Sequence, residues 1–329
     1  MDEFSFIQSI TPKWYHQSSL LKGIGDDAAV FKSLSGQNIV QAVDTMVEEV
    51  HFSKRTMSPS DIGYRSLAAN ISDLAAMGSI PAYFLVSIVI PDHWEENELQ
   101  ELYMGMKELA DLYQMDLIGG DTVSGKQLVL TITVIGFVPE GFQRYRSSAQ
   151  PGDVVFVTGT LGDSAYGLHI LTNETNDEIN EKKYFLKRHR RPTPRIAFSH
   201  ITKDIKRMAL NDISDGISSE SHELAEASNV DIWLEEANLP IHPELRAAPL
   251  SNEMKAKFIL HGGEDFELIG TASPHDWEKI KKLADQERIP VSKIGIVKVK
   301  QKTEPQVWLN TNDHWRLLNR QGYTHAKRD

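Results

Sequence analysis

The sequence predicts a two-domain protein of the α/β (α+β) class, each domain a mixed sheet packed with helices. Three observations predict it: the length, the alternation of short β-branched runs with amphipathic helical stretches, and a polar break near the middle. At 329 residues the chain suits roughly two domains with separate cores. The strands and helices alternate without strict βαβ regularity. The break opens at Pro139-Glu140-Gly141 and closes at Gln150-Pro151-Gly152-Asp153, so the domains are expected over 1–138 and 150–329.

In chain order, residues 1–20 read as a short helix and a polar loop. Stretches 28–31 and 38–42 read as strands joined by a turn at Ser35-Gly36-Gln37. The helix expected over 61–77 carries Ile62, Leu67, Ile71 and Leu74 on one face, after Pro59 and before Gly78. A buried strand over 82–90 and a helix over 95–113 with Leu99, Leu102, Met106 and Leu109 on one face follow. Strands at 116–118 and 128–138 flank an expected loop at 119–126. The second half gives strands at 154–158, 208–213, 232–234, 266–271, 294–299 and 307–309. Its helices fall at 163–171, after Pro192-Thr193-Pro194, and at 218–227, 252–259 and 276–286, with a polar loop over 173–180.

Composition narrows the function. Lys plus Arg total 35 against 46 acids, a formal charge of −11 that argues against nucleic acid as partner. The lack of cysteine excludes disulfides, thiolate zinc sites and cysteine nucleophiles. The N-terminus has no signal-peptide pattern, and the longest apolar runs are too short to span a membrane as helices. A cytoplasmic enzyme is the expectation.

Six short segments concentrate Asp beside Gly, Ser or Thr at expected strand or turn ends: 23–29 (GIGDDAA), 43–45 (VDT), 70–73 (NISD), 119–122 (GGDT), 212–216 (DISDG) and 262–265 (GGED). Solubility is better served by Glu and Lys on helix faces. Carboxylates with hydroxyls and flexible backbone suit Mg²⁺, which takes oxygen ligands and shares its shell with phosphates. Singly, each Asp reads more readily as a turn or helix cap than as a ligand. Arg146, in Arg144-Tyr145-Arg146, reads as a solvated charge or as a phosphate clamp. Ile-Ser-Asp occurs at 71–73 and 213–215, through coincidence or internal duplication. Other motifs fail: Gln127 stands where a P-loop needs Ser or Thr and a strand-like run follows, and the helix at His222-Glu223 lacks the second His of a zincin. The surroundings of Gly216 do not fit a calcium loop.

The ordered set GIGDDAA, VDT, NISDLAAMG, GGDT, TGTLGDSA, DISDG and GGEDFEL resembles the thiamine-monophosphate kinase family, of the superfamily that includes aminoimidazole ribonucleotide synthetase and selenophosphate synthetase. The resemblance runs from about Gly23 to Tyr323. It implies a two-domain aminoimidazole ribonucleotide synthetase-like fold, phosphorylation of thiamine monophosphate by ATP to thiamine diphosphate and ADP, several Mg²⁺ ions, and a homodimer built through the N-terminal domains. By position it implies Asp27, Asp44, Asp73, Asp121, Asp212 and Asp215 as metal ligands. Tyr103, Gly120, Asp121, Arg146 and Ser214 become nucleotide contacts, and His51, Glu264 and Tyr323 thiamine-phosphate contacts. Asp73, Asp121 and Arg146 carry the catalytic roles. His51 reads alternatively as a solvated loop residue and Tyr323 as a core aromatic; Asp26 and Asp265 receive no role.

Three departures bear on the pocket: Ala42-Val43 replace the usual Ser-Thr, the ending Gly322-Tyr323-Thr324-His325-Ala326 replaces Gly-Tyr-Asp-His-Phe, and Arg320 stands where an aromatic is frequent. The competing readings are another ATP-dependent enzyme of the superfamily, such as an amide-activating purine synthetase, and a non-catalytic acidic protein that binds metal or nucleotide. The reactive cysteines of selenophosphate synthetases and hydrogenase-maturation relatives are absent.

Overall fold

A computed structural model describes residues 3–24, 29–173 and 182–322. The chain divides into two compact units, Met1–Leu74 with Ser79–Glu140 and Ala75–Gly78 with Gly141–Asp329.

The first unit opens with α1 (Glu3–Ile10), then β1 (Leu20–Lys22) paired antiparallel with β2 (Val30–Phe31). Its main sheet comprises β3 (Gln37–Val47), β4 (Ile80–Ile90), β5 (Asp116–Ser124) and β6 (Val129–Pro139), in the order β3-β6-β4-β5. Only the β4–β5 pair is parallel. The helices α2 (Pro59–Ala76) and α3 (Glu96–Tyr113) turn the predicted apolar faces inward. Ile62, Leu67, Ile71 and Leu74 on α2 and Leu99, Leu102, Met106 and Leu109 on α3 are all buried. The helices cross at a pair of glycines. A Cβ on Gly63 would run into the Leu102 carbonyl, and one on Gly105 into that of Ser60.

Strand alternation gives the sheet two unlike faces. Met46, Leu130 and Ile88 align across neighbouring strands on the covered face and are buried. The opposite face is open only in part: Tyr83, Ile135 and Phe137 are buried there, packed with Leu20, Ala29 and Phe31, whereas Ile39, Val43 and Val123 stay about half exposed. The expected loop over 119–126 is corrected: Gly119 to Ser124 continue β5, paired with Leu85 to Ile90. Adjacent glycines suit a strand whose neighbour packs closely as well as a loop, and a Cβ on Gly120 would run into the Val86 carbonyl.

The second unit contains β7 (Val154–Thr158), α4 (Asp163–Asn173), α5 (Lys183–Arg190), α6 (Ile196–Ile201), β8 (Ala209–Asp212), α7 (Ile217–Ser228) and β9 (Asp231–Glu235). It continues with α8 (Pro243–Ala247), α9 (Asn252–His261), β10 (Leu268–Ala272), α10 (Pro274–Gln286), β11 (Val291–Lys298), β12 (Val307–Thr311) and β13 (His314–Leu317). The seven strands run β13-β12-β9-β11-β7-β10-β8, antiparallel except for β12 with β9. Val155, Val157, Ile232, Leu234 and Ile269 belong to a core with Ile170 of α4 and Leu224 of α7. Phe156, Leu210 and Leu268 belong to a second core with Phe198 of α6 and Trp277 and Ile280 of α10. Among the described residues no helix is long and apolar enough to cross a membrane.

Candidate active site

The two occurrences of Ile-Ser-Asp are structurally unrelated. The first lies inside α2 and the second follows β8. In the first unit, Asn70 of α2 accepts a hydrogen bond from the Asp44 backbone N–H at 3.0 Å and fixes the helix against β3. Asp73 lies three residues on, along the same side of α2. Burial pushes the Asp44 carboxyl above its ordinary value, while nearby His51 works the other way. His51 sits in the tight return after β3, where its Nδ1 accepts from the Val47 N–H at 2.9 Å. These acids thus lie within elements rather than at strand or turn ends.

Asp121 is held apart from that group. The register places Asp44, Ile132, Val86 and Gly120 in one row on the covered face, and Thr45, Thr131, Ser87 and Asp121 in the adjacent row on the open face. Asp121 is exposed, three strands from Thr45, about 14 Å at the usual strand spacing. Tyr103 lies on the buried face of α3, where burial raises its phenol pKa. Asp27 and Tyr323 lie outside the described residues.

In the second unit the segments DISDG and GGEDF form one structure. The Glu264 N–H donates to the Ser214 carbonyl at 2.7 Å, the Phe266 N–H to Ile213 at 3.0 Å and the Ile213 N–H to Glu267 at 2.7 Å. These bonds extend the β8–β10 pairing beyond the strand ends, bringing Asp212, Ser214, Asp215 and Glu264 together. Glu264 itself has a φ of 65°. A Cβ on Gly263 would strike the Ser214 carbonyl, and Gly216 has a φ of 103°, so both positions require glycine. Gly322 packs against the Asp215 backbone. The segment before it is fastened to α7, where His222 Nε2 donates to the Leu318 carbonyl at 2.8 Å and Ser218 Oγ to that of Asn319 at 2.9 Å.

Arg146 joins the same group. Its Nε donates to Asn211 Oδ1 at 2.8 Å and its Nη1 lies 2.9 Å from Glu223 Oε2. Asn211 also donates to Glu220, which accepts the Asp215 N–H at 3.2 Å. Burial first, and then Asp212, Glu223 and Asp215, push the Glu220 carboxyl up to about 9. Among the described residues no three His, Asp or Glu side chains stand close enough to hold a metal ion.

Sequence reasoning missed the framework beneath these loops. Asp265, for which the sequence suggested no role, caps α4 by accepting the Gly162 and Ser164 N–H groups at 2.7 and 3.0 Å. Glu267 is fully buried, accepting from Thr158 Oγ1 at 2.6 Å, Arg188 Nη2 at 2.8 Å and Arg195 Nε at 2.5 Å. The motif GGEDFEL therefore combines one residue presented at the loop with two that hold it.

Residues 25–138 match the family model for AIR synthase related protein, N-terminal domain, and residues 150–307 the one for AIR synthase related protein, C-terminal domain. The chain is 49% identical over 330 residues to the thiamine-monophosphate kinase of Bacillus subtilis (strain 168), covering 99% of this chain and 100% of that one. A crystal structure of thiamine-monophosphate kinase from Stenotrophomonas maltophilia K279a superposes with a TM-score of 0.80 at 33% identity, over 88% of this chain and 92% of that one. A solved structure described as AaThiL complexed with AMPPCP and TMP gives a TM-score of 0.76 at 27% identity, over 93% and 92% of the two chains.

Proposed function

We infer that this chain, which belongs to the thiamine-monophosphate kinase family of AIR synthase related proteins, transfers the γ-phosphoryl group of ATP to thiamine monophosphate. It is an ATP-dependent kinase with a phosphate acceptor, and its products are thiamine diphosphate and ADP. The observation that carries this reading is the match along essentially the whole chain, which includes every acidic segment singled out in the sequence.

The acceptor chemistry suits a site without a general base. A phosphate monoester loses its second proton near pH ~6, so its attacking oxygen is already ionised at neutral pH. The difficulty is bringing two polyanions together on a protein of charge −11. Arg146 is assigned to the donor phosphates, because Asn211 holds its guanidinium on the strand that ends in Asp212. Ser214 and Gly120 are assigned to the nucleotide, with Tyr103 supporting it as a buried, neutral phenol. Glu264 and His51 are assigned to the thiamine phosphate, with Tyr323 as the third contact. A neutral His51 with Nδ1 occupied by the Val47 N–H presents its Nε2–H as a donor.

The donor set fits Mg²⁺. It consists of carboxylate oxygens, hard donors of the kind Mg²⁺ takes, and in the second unit Asp212, Glu223 and Asp215 act on the buried Glu220 as like charges that a cation would offset. We assign Asp27, Asp44, Asp73 and Asp121 of the first unit to Mg²⁺, and Asp212 and Asp215 of the second likewise as Mg²⁺ ligands. Bound there, the metal would neutralise phosphate charge and align donor with acceptor. A homodimer accounts for the placement of Asp121. It lies on the open face at the sheet edge opposite β3, where it is available to a second copy seated on that face. A kinase that draws on the ATP pool is placed in the cytoplasm.

The test replaces Asp73 by Asn and follows thiamine diphosphate by chromatography. The variant is expected to keep its circular-dichroism spectrum and lose at least about 100-fold in turnover, the scale of losing one transition-state charge contact. Near-normal turnover would remove Asp73 from the mechanism.

A further inference from the structure

The return after β3 that carries His51 is fastened on both flanks to one short segment, His93 to Glu98. On the upstream flank Glu48, a buried carboxylate, collects donors from two other parts of the unit. Its Oε1 accepts from Trp94 Nε1 at 3.0 Å and its Oε2 from the Leu128 N–H at 3.0 Å. His93 Nε2 lies 3.1 Å from both oxygens. On the downstream flank Lys54 lies over the Trp94 ring at 4.0 Å and pairs with Glu98 at 2.6 Å. Glu98 also closes the capping box that begins α3. Between the flanks the backbone closes on itself, with Glu49 N–H donating to Phe52 at 2.8 Å and His51 N–H to Val47 at 2.9 Å.

We propose that Glu48 is a positioning residue for substrate recognition, holding the return so that His51 presents its Nε2–H to the phosphate of thiamine monophosphate. The proposal rests on the assignment of His51 to that substrate. Burial acts to raise the Glu48 pKa, but the bonds from Leu128, Trp94 and His93 outweigh it and keep the carboxyl below its ordinary value. An ionised carboxylate has acceptor sites for all three donors, whereas a glutamine turns one end into an NH₂ facing N–H donors. Glu48→Gln therefore keeps the shape and breaks the clamp. His51 then loses its fixed orientation, although its own side chain is intact.

The test is steady-state kinetics of the full-length protein with ATP and thiamine monophosphate, comparing wild type, His51→Ala, Glu48→Gln, the double variant and Trp94→Phe. Both single changes are expected to raise KM for thiamine monophosphate about tenfold or more, the worth of one charge-assisted hydrogen bond, and to leave KM for ATP within about twofold. Because Glu48 acts through His51, the double variant should be no worse than His51→Ala. Trp94→Phe keeps a ring under Lys54 and removes one donor, so a smaller shift in the same direction is expected if Glu48→Gln does not fold. Nitrogen NMR of the imidazole should show the Nε2–H form in wild type and an averaged ring in Glu48→Gln.

Multiplicative losses in the double variant, or equal rises in both KM values, would make Glu48 a general structural residue and overturn the proposal. So would an unchanged KM for thiamine monophosphate in both Glu48→Gln and Trp94→Phe. A normal KM in His51→Ala would instead overturn the substrate assignment of His51, and that arm reads it separately.

Discussion

Glu267 has two guanidiniums and a hydroxyl as partners and no exposure to water. Burial alone would raise its pKa, but Arg195 and Arg188 hold the carboxyl below the ordinary glutamate value. Glu267→Ala strands both arginines and should cost about 3–5 kcal/mol, read as a lower midpoint in urea; a midpoint like wild type would contradict this. Asp265 behaves oppositely. Burial and then Asp163 push its carboxyl to about 7 from an unfolded value near 3.8. A raised folded pKa gives stability that is complete below pH 3.8 and is lost as pH rises through 7. The melting temperature of wild type relative to Asp265→Asn should therefore fall between pH 5 and pH 8, and a constant gap would count against the assignment. Neither residue's role was legible in the sequence. The partners of Glu267 lie 72, 79 and 109 positions away and those of Asp265 just over 100, so no local pattern records them. The Asp residues beside Gly and Ser stood out in the sequence because that pattern is local.

At the level of elements, the helices α2 and α3 were readable because four apolar positions each repeat at helical spacing, and all eight are buried. The path of GGDT was not. Gly119-Gly120 signals a turn, yet pairing with β4 continues the strand to Ser124 and sets Asp121 on the open face. The same register explains the exposure of Ile39 and Val43, 51% and 58%, on an edge strand with only β6 beside it. In the proposed homodimer a second copy would cover this apolar surface. Val43→Glu should convert the dimer to monomer in sedimentation velocity with little change in melting temperature. A dimer that persists in Val43→Glu would move the interface to another face.

Over the whole molecule, each unit carries its own share of acids. Asp44, Asp73 and Asp121 lie in the first, Asp212 and Asp215 in the second, and each share stands on a different local device. In the first unit Asn70 ties a helix to a strand, and in the second two loops pair beyond their strand ends. The two-domain class was visible in the length, the strand–helix alternation and the polar break, and the ordered motifs in short local runs of Asp with Gly, Ser or Thr. The supporting carboxylates Glu48, Glu220 and Glu267 emerged only when distant segments were placed side by side. The acceptor is a phosphate that needs no deprotonation. ADP release with ATP and Mg²⁺ tests this, using thiamine monophosphate in one arm and free thiamine in the other. One ADP per thiamine diphosphate is expected in the first arm and no turnover in the second. Equal ADP release in both arms, or release without any acceptor, would contradict it.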